Sequence, residues 1–472
     1  MTPLLDPPGI DRLRHALTTA GFTRDSIVER LGERVVTAYD RGDPRSLAHA
    51  VGDVGDPLST LVRLFLCRLD EPASRVSAAL PLDDLLAAGI LEPAGDRFRA
   101  SVWLHPYRDW WMVADLPGHL RAGRPAGDHV VGVGASPTVL VDATVRAPVH
   151  TALDIGTGCG VQALHLSEHA THVTATDLSV RALRFAATTA ALNGLDWELL
   201  RGDLAAPVTG RRFDLVVANL PYIVGPGGAH ATHLYRDSGR PGDAVAAELA
   251  AVAADLLTDG GYGQFLANWV HVDGQDWTER VADWVAGTGC DAWIVQHRVT
   301  DPASYVVQWL RETGDHTDLA RRAAWLDYFH QHRVNAVGFG LITLRRTGRP
   351  DPVVAVEDRS SPTGPEVLGW FAAQDWLRDN DVLAATYRTA ADVRLSQEAV
   401  RDRGWQLDRQ LLTRPGRTVE VDPFIAALVG LCDGSAPLLA HIAALAVDLT
   451  EDITPAVRKL VEHGILVPVP LA

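Results

Sequence analysis

Two short stretches of this chain hold residues whose types and spacing could do chemistry. The first is Asp154-Ile155-Gly156-Thr157-Gly158-Cys159-Gly160, directly after an apolar run. Three glycines at alternate positions let a chain turn sharply and let a nucleoside lie against bare backbone. The second is Asn219-Leu220-Pro221-Tyr222, which closes another apolar run. An amide, a backbone carbonyl and an aromatic ring in succession suit a planar nitrogen. The Asn219 side-chain oxygen can accept one N–H, and the Leu220 carbonyl the other, because Pro221 holds the residue before it extended. Tyr222 can stack on the planar group. The lone pair of such a nitrogen is delocalised, so holding both hydrogens aims it at an electrophile and stabilises the charge that develops. No general base is needed first, since the product can lose its proton to water.

The elements around these residues form a pattern. His150–Ile155 reads as a short buried strand, and Val161–His169 as the helix after it. His172–Thr176 is a second strand ending at Asp177, an acid placed to accept both ribose hydroxyls. Ser179 reads as a helix N-cap, and Asn193-Gly194 as that helix's stop signal. Trp197–Arg201 is a third strand, and the Gly202-Asp203 that follows puts an acid where an adenine amino group could lie. Phe213–Ala218 is almost wholly apolar, a fourth strand buried on both faces. Loop acids and glycine turns are common singly. Acids at the ends of successive strands behind one glycine turn are not. A dinucleotide loop needs its third glycine one position later, where Val161 stands, which disfavours a nicotinamide cofactor.

With those residues in view, the run from 130 to 270 resembles class I S-adenosylmethionine-dependent methyltransferases. More narrowly it resembles the small methyltransferase group, which includes release-factor glutamine N5-methyltransferases and rRNA guanine N2-methyltransferases. The resemblance implies an α/β fold with a Rossmann-like seven-stranded sheet, S-adenosyl-L-methionine as cofactor, and N-methylation of a protein or peptide amide. It assigns cofactor binding to Asp154, Gly156, Thr157, Gly158, Gly160, Asp177, Leu178, Asp203, Leu204 and Asn219. It assigns catalysis to Asn219, Leu220, Pro221 and Tyr222. Leu220 replaces the proline usual in glutamine methyltransferases, and Asn-Leu-Pro-Tyr also resembles rRNA adenine dimethyltransferases, whose glycine loop differs. The replacement alters no carbonyl, so nitrogen chemistry stands while the acceptor class widens. Arg236–Asp243 resembles the polar turn that follows the tetrapeptide in the group, and Gly132–Pro137 the loop leading to the cofactor.

Composition narrows the partners. The 472 residues suit two or three domains. Against 43 basic residues stand 59 acidic ones, a net charge of −16 that opposes attraction to nucleic acid. A protein, peptide or small-molecule acceptor is therefore expected ahead of RNA. Lys459 is the only lysine, which fits a GC-rich genome better than a basic binding face. Cys67, Cys159, Cys290 and Cys432 lie far apart, without zinc or disulfide spacing. His230 and His233 have metal-like spacing but no third ligand nearby, so no metal is expected. No run of apolar residues is long enough to span a bilayer, and Met1-Thr2-Pro3 opens no targeting segment, so a cytoplasmic place without membrane contact is expected.

Residues 1–104 read as a helical, winged-helix-like domain, with helices Asp11–Ala20, Thr23–Leu31, Ser59–Arg68 and Leu82–Gly89 and a strand Arg97–Leu104. Its recognition segment, Ser74–Ala88, is too acidic to read DNA. Residues 105–350 are the methyltransferase domain, whose later strands are Tyr262–Val270, Ala292–Val299 and Ala336–Arg346, the last two an edge hairpin. A helical insertion at 302–334, with Trp309, Trp325, Tyr328 and Phe329, reads as an acceptor lid or a homodimer contact. Trp269, Trp277 and Trp284 recur near helical spacing and read as core or lid packing ahead of a substrate cage. Residues 351–472, past the linker Ser360–Pro365, read as a second helical, winged-helix-like domain. A silent regulatory scaffold is the non-enzyme alternative, and the intact Asp154, Asp177 and tetrapeptide weigh against it.

Overall fold

The apolar run Phe213–Ala218 is buried throughout apart from Asp214, as a strand covered on both faces must be. It lies inside the largest sheet of the computed structural model, which describes residues 1–121, 123–228, 239–312, 317–445 and 452–469. The chain divides into two compact units, Met1–Glu357 and Asp358–Ala472.

The first unit holds an eight-stranded sheet. Its strands are β1 (Val149–Ile155), β2 (Ala170–Asp177), β3 (Trp197–Arg201), β4 (Phe213–Ala218), β5 (Leu257–Val272), β6 (Cys290–Thr300), β7 (Val334–Arg346) and β8 (Val354–Asp358). They lie in the order β8-β6-β7-β5-β4-β1-β2-β3. The pairs from β5 through β4, β1 and β2 to β3 are parallel, and β7 runs against both β5 and β6. This is the Rossmann-like sheet the resemblance implies, with one strand more. The β6/β7 hairpin is not the edge, because β8 covers it. Buried Asp291 makes that addition stable: its carboxylate accepts the Val353 N–H at 2.9 Å and pairs with Arg345 at 3.0 Å.

The strand order reverses between β1 and β4, and a crevice opens there outside the carboxyl ends of the strands. Register puts the two motifs beside each other. Ile155 pairs with Ala218, so Gly156 and Asn219 leave the sheet side by side.

The helices of this layer are α1 (Ala135–Ala143), α2 (Val161–Leu166), α3 (Val180–Leu192), α4 (Ala244–Asp255), α5 (Trp277–Asp283), α6 (Pro302–Glu312) and α7 (Leu319–Gln331). Ser179 caps α3, accepting the Ala182 N–H at 3.2 Å. At its other end Asn193 does more than stop the helix. Its amide exchanges hydrogen bonds with the Trp111 backbone, 3.0 Å from N–H and 2.8 Å to carbonyl. That clamp holds a hairpin, Val102–Tyr107 with Trp110–Asp115, against α3. The strand expected over Arg97–Leu104 is accordingly split: Ser101 leaves the ladder, its N–H donating to the Ile90 carbonyl at 3.0 Å.

The insertion forms α6 and α7. Tyr305, Trp325 and Phe329 are buried in a cluster with Val224, Val270 and Val337, so these rings cover the chain's own sheet. Trp269 and Trp277 stack at 6.0 Å, and the Arg280 guanidinium lies 5.5 Å from the Trp284 ring, as core packing.

Upstream, strands Glu71–Pro72, Arg97–Ala100 and Leu91–Ala94 form a sheet in that order beside helices Ala73–Ala79 and Leu82–Ala87. The second unit repeats the arrangement with Asp433–Pro437, Thr386–Thr389 and Leu466–Pro468 and helices Leu438–Ala444 and Thr454–Glu462. In the first module the central strand follows the helices, and in the second it precedes them. The second unit is less helical than its sequence suggests. Asp433–Pro437, between helices Pro423–Leu431 and Leu438–Ala444, is a strand, and Arg394–Arg401, Trp405–Arg414 and Arg417–Val421 form another sheet. Among the described residues no helix is long and apolar enough to cross a membrane.

A candidate cofactor and acceptor site

At the β1/β4 crevice lies a cavity of about 560 Å³. The glycine loop is its floor. The Gly156 and Thr157 N–H groups both donate to the Thr176 carbonyl, at 2.9 and 3.0 Å, which pins the loop to β2. All three glycines have left-handed φ, at 72°, 56° and 94°. A Cβ on Gly160 would stand 2.7 Å from the Trp197 ring, whereas one on Gly158 would meet nothing within 4 Å. Gly158 thus offers bare backbone to the cavity. Cys159 is buried, its Sγ 3.3 Å from the Val131 carbonyl, and desolvation pushes the thiol up to about 12. It is no nucleophile.

Asp177 ends β2 and lines the cavity. One oxygen accepts the Gly158 N–H at 2.9 Å and the other the Ser179 N–H at 2.8 Å. Each keeps a lone pair for a hydroxyl. Burial raises its pKa, and those N–H groups oppose the rise. Leu178, half exposed, and Leu204 add apolar wall. Asp203 reaches the rim, where Arg240 holds it at 3.2 Å and also pairs with Glu248 at 2.6 Å.

Asp154 lies beneath the loop, almost wholly buried, accepting the Ala163 N–H at 3.2 Å. Desolvation pushes its carboxyl up to about 7, against the Thr157 hydroxyl and that N–H. The sign follows from linkage. Below pH 4 both folded and unfolded chains carry the proton and nothing is lost. As pH rises toward 7 the unfolded chain releases it first, so the fold is weakened, fully so above 7. Asp154→Asn removes this dependence, and urea midpoints from pH 4 to 8 are expected to fall more steeply for the wild type.

The acceptor side is built by the tetrapeptide. Asn219, Leu220, Pro221 and Tyr222 all line the cavity. The Asn219 side-chain oxygen is buried without a hydrogen-bond partner. Leu220 packs over the glycine loop: a Cβ on Gly156 would stand 2.5 Å from its Cδ2. The Tyr222 hydroxyl bonds Ser136, from the Gly132–Pro137 loop, and its ring lies 5.3 Å from Phe339. Of the polar turn at 236–243, Arg240 lines the cavity, whereas Asp243 is turned into the core. There Arg280 grips it at 2.7 Å and the Val270 N–H donates to it at 2.9 Å. Arg236–Ser238, His230 and His233 lie outside the described residues. Among those described, no group of three His, Cys, Asp or Glu could hold a metal.

Sequence reasoning missed several groups here. Arg298 and Gln308 line the cavity unforeseen, beside Trp309 of the insertion read as a lid. Tyr305 fixes the backbone after the tetrapeptide, its hydroxyl accepting from the Val224 N–H at 2.8 Å and the Asn268 amide at 2.9 Å. The aromatic composition of the insertion was the available signal. Tyr305→Phe strands two buried donors, so denaturant unfolding should show a loss of about 1–3 kcal/mol.

Comparison with known proteins adds names. Residues 133–271 match the methyltransferase small domain. Residues 19–101 and 368–468 match two domains of unknown function, DUF7059 and DUF7782. The release factor glutamine methyltransferase of Deinococcus radiodurans is 42% identical over 118 residues, 23% of this chain and 42% of that protein. The ribosomal protein uL3 glutamine methyltransferase of Bradyrhizobium diazoefficiens is 35% identical over 105 residues, 21% and 32% of the two chains. The ribosomal RNA small subunit methyltransferase C of Alcanivorax borkumensis is 37% identical over 70 residues, 15% and 21%. The chain thus spans less than half the length of these curated relatives.

Proposed function

We propose, with a methyltransferase small domain over residues 133–271 as premise, that this protein methylates a planar nitrogen, an amide of a protein or peptide. The observation that carries the reading is the Asn219 oxygen, a buried acceptor at the cavity wall with no partner of its own. Leaving such a group unmade costs about 1–3 kcal/mol, a cost removed when a ligand N–H arrives. The residues fit S-adenosyl-L-methionine. The cavity volume is within the range of small-molecule sites, Gly158 leaves room against bare backbone, and Asp177 keeps lone pairs for ribose hydroxyls. Asp154, Gly156, Thr157, Gly158, Gly160, Asp177, Leu178, Asp203 and Leu204 would hold it. When bound, it supplies an electrophilic methyl group on a sulfonium.

The chain's own residues do the rest. Asn219 and the Leu220 carbonyl hold the two hydrogens of the acceptor nitrogen, which turns its lone pair toward the cofactor. Tyr222, fixed by Ser136, covers the planar face. These interactions strengthen as positive charge grows on nitrogen, which lowers the barrier. Trp309 and Gln308 line the same cavity.

An amide acceptor draws support from the glutamine methyltransferases among the relatives and from the net charge of −16. A cytoplasmic place belongs to the same reading. The test is transfer of labelled methyl into lysate of a host lacking the gene, with protease-treated and RNase-treated portions alongside and Asn219→Ala as control. Label removed by protease alone supports the reading. Label removed by RNase alone moves the acceptor to RNA, and Asn219-dependent label in neither fraction moves it to a small molecule.

A further inference from the structure

Strand β6 contains an irregularity at the cavity. Gln296 pairs with Gly340 and Arg298 with Phe339, so His297 is an extra residue in the ladder. A β-bulge of this kind bends its strand and re-aims the next side chain. Here the re-aimed side chain is Arg298, at the carboxyl end of β6 and on the same sheet edge as the glycine loop. Its guanidinium lies 4.9 Å from the Phe339 ring, and that ring is 5.3 Å from Tyr222. Phe339 therefore touches both Tyr222 and Arg298, two residues that line the cavity.

The electrostatics single out this residue. Two arginines line the cavity among the described residues, and Arg240 is already paired with Asp203 and Glu248. Arg298 is exposed to the cavity mouth and has no carboxylate partner among the described residues. A planar guanidinium set over an aromatic ring presents two N–H groups in a fork that matches a carboxylate. One fork neutralises one negative charge, and Asp128, Asp177 and Asp203 around the cavity disfavour a ligand carrying more.

Resting on the amide-methylation reading above, we infer that Arg298 is a specificity residue that binds a carboxylate of the acceptor, beside the nitrogen held by Asn219. The acceptor class is then an acidic peptide segment, with an Asp or Glu side chain next to the methylated amide.

The test uses the full chain, labelled S-adenosylmethionine and two peptide pools from proteolysed host lysate, both with amines dimethylated beforehand. One pool is left native, and in the other the carboxylates are blocked with carbodiimide and ethanolamine. Wild-type transfer is expected to fall at least tenfold in the blocked pool. Arg298→Gln is expected to be low in both, with a native-to-blocked ratio near one. Arg298→Lys should keep part of the ratio, as charge remains and the fork is lost. Cofactor affinity within twofold of the wild type shows that the variants fold. Equal wild-type label in both pools overturns the inference alone, as does an undiminished ratio for Arg298→Gln. No Asn219-dependent label in either pool overturns the amide reading, and the inference with it.

Discussion

Asn219→Ala is expected to lower kcat/KM by about 10²–10³-fold, or about 2.7–4 kcal/mol, by comparison with removal of one oxyanion-hole donor. The loss should fall on kcat, because the hydrogen bond strengthens as charge develops on the acceptor nitrogen. The structure supplies a second readout. An asparagine that merely ended β4 would contribute stability through its side chain. This one has a buried oxygen with nothing to accept, so its truncation should leave the unfolding midpoint unchanged or raise it. Steady-state kinetics and urea unfolding on one preparation separate the two roles. A large stability loss matched by a modest rate loss would assign Asn219 to the scaffold.

Gly156→Ala should damage both the fold and the site. Gly156 has φ of 72°, where an L side chain costs about 1–2 kcal/mol. The new Cβ would also stand 2.5 Å from the Leu220 Cδ2, and such overpacking typically costs 1–3 kcal/mol. The sum is about 2–5 kcal/mol, read as a lowered unfolding midpoint. Function should suffer beyond stability, since Leu220 belongs to the tetrapeptide and the glycine loop is tied to the Thr176 carbonyl. Isothermal titration should show weakened cofactor binding at a temperature where the variant is still folded. Gly158→Ala is the contrast: its Cβ would meet nothing within 4 Å of protein, so strain remains while the clash does not.

Those two residues show which parts of the site are legible without a fold. Glycines at alternate positions, acids closing successive strands and an asparagine at the end of an apolar run are local signals. The strands that carry them, β1 to β4, have boundaries within a residue or two of those read from apolar runs. The parallel pairing of β1 with β4 then follows from the class of sheet, and register brings Gly156 beside Asn219.

Other elements left no such trace. Arg394–Arg401 is exposed at every position, so it has no buried face and no alternation of apolar and polar residues to betray a strand. Strand β8 exists because Asp291, distant in sequence, offers an acceptor to the Val353 N–H. Asp243 sat in a polar turn that suited a binding loop, and Arg280 drew it into the core instead.

By itself, then, the sequence determined the chemistry of the two motifs and the strands that bear them, because backbone freedom, hydrogen-bonding groups and apolar periodicity are properties of neighbouring residues. The tertiary structure decided what faces those motifs. Tyr305 reaches back to Val224, Phe339 touches both Tyr222 and Arg298, and an extra residue in β6 turns that arginine to the cavity. Each contact joins residues far apart in the chain, and only packing, which minimises buried voids and unpaired polar atoms over the whole fold, selects among the partners open to them.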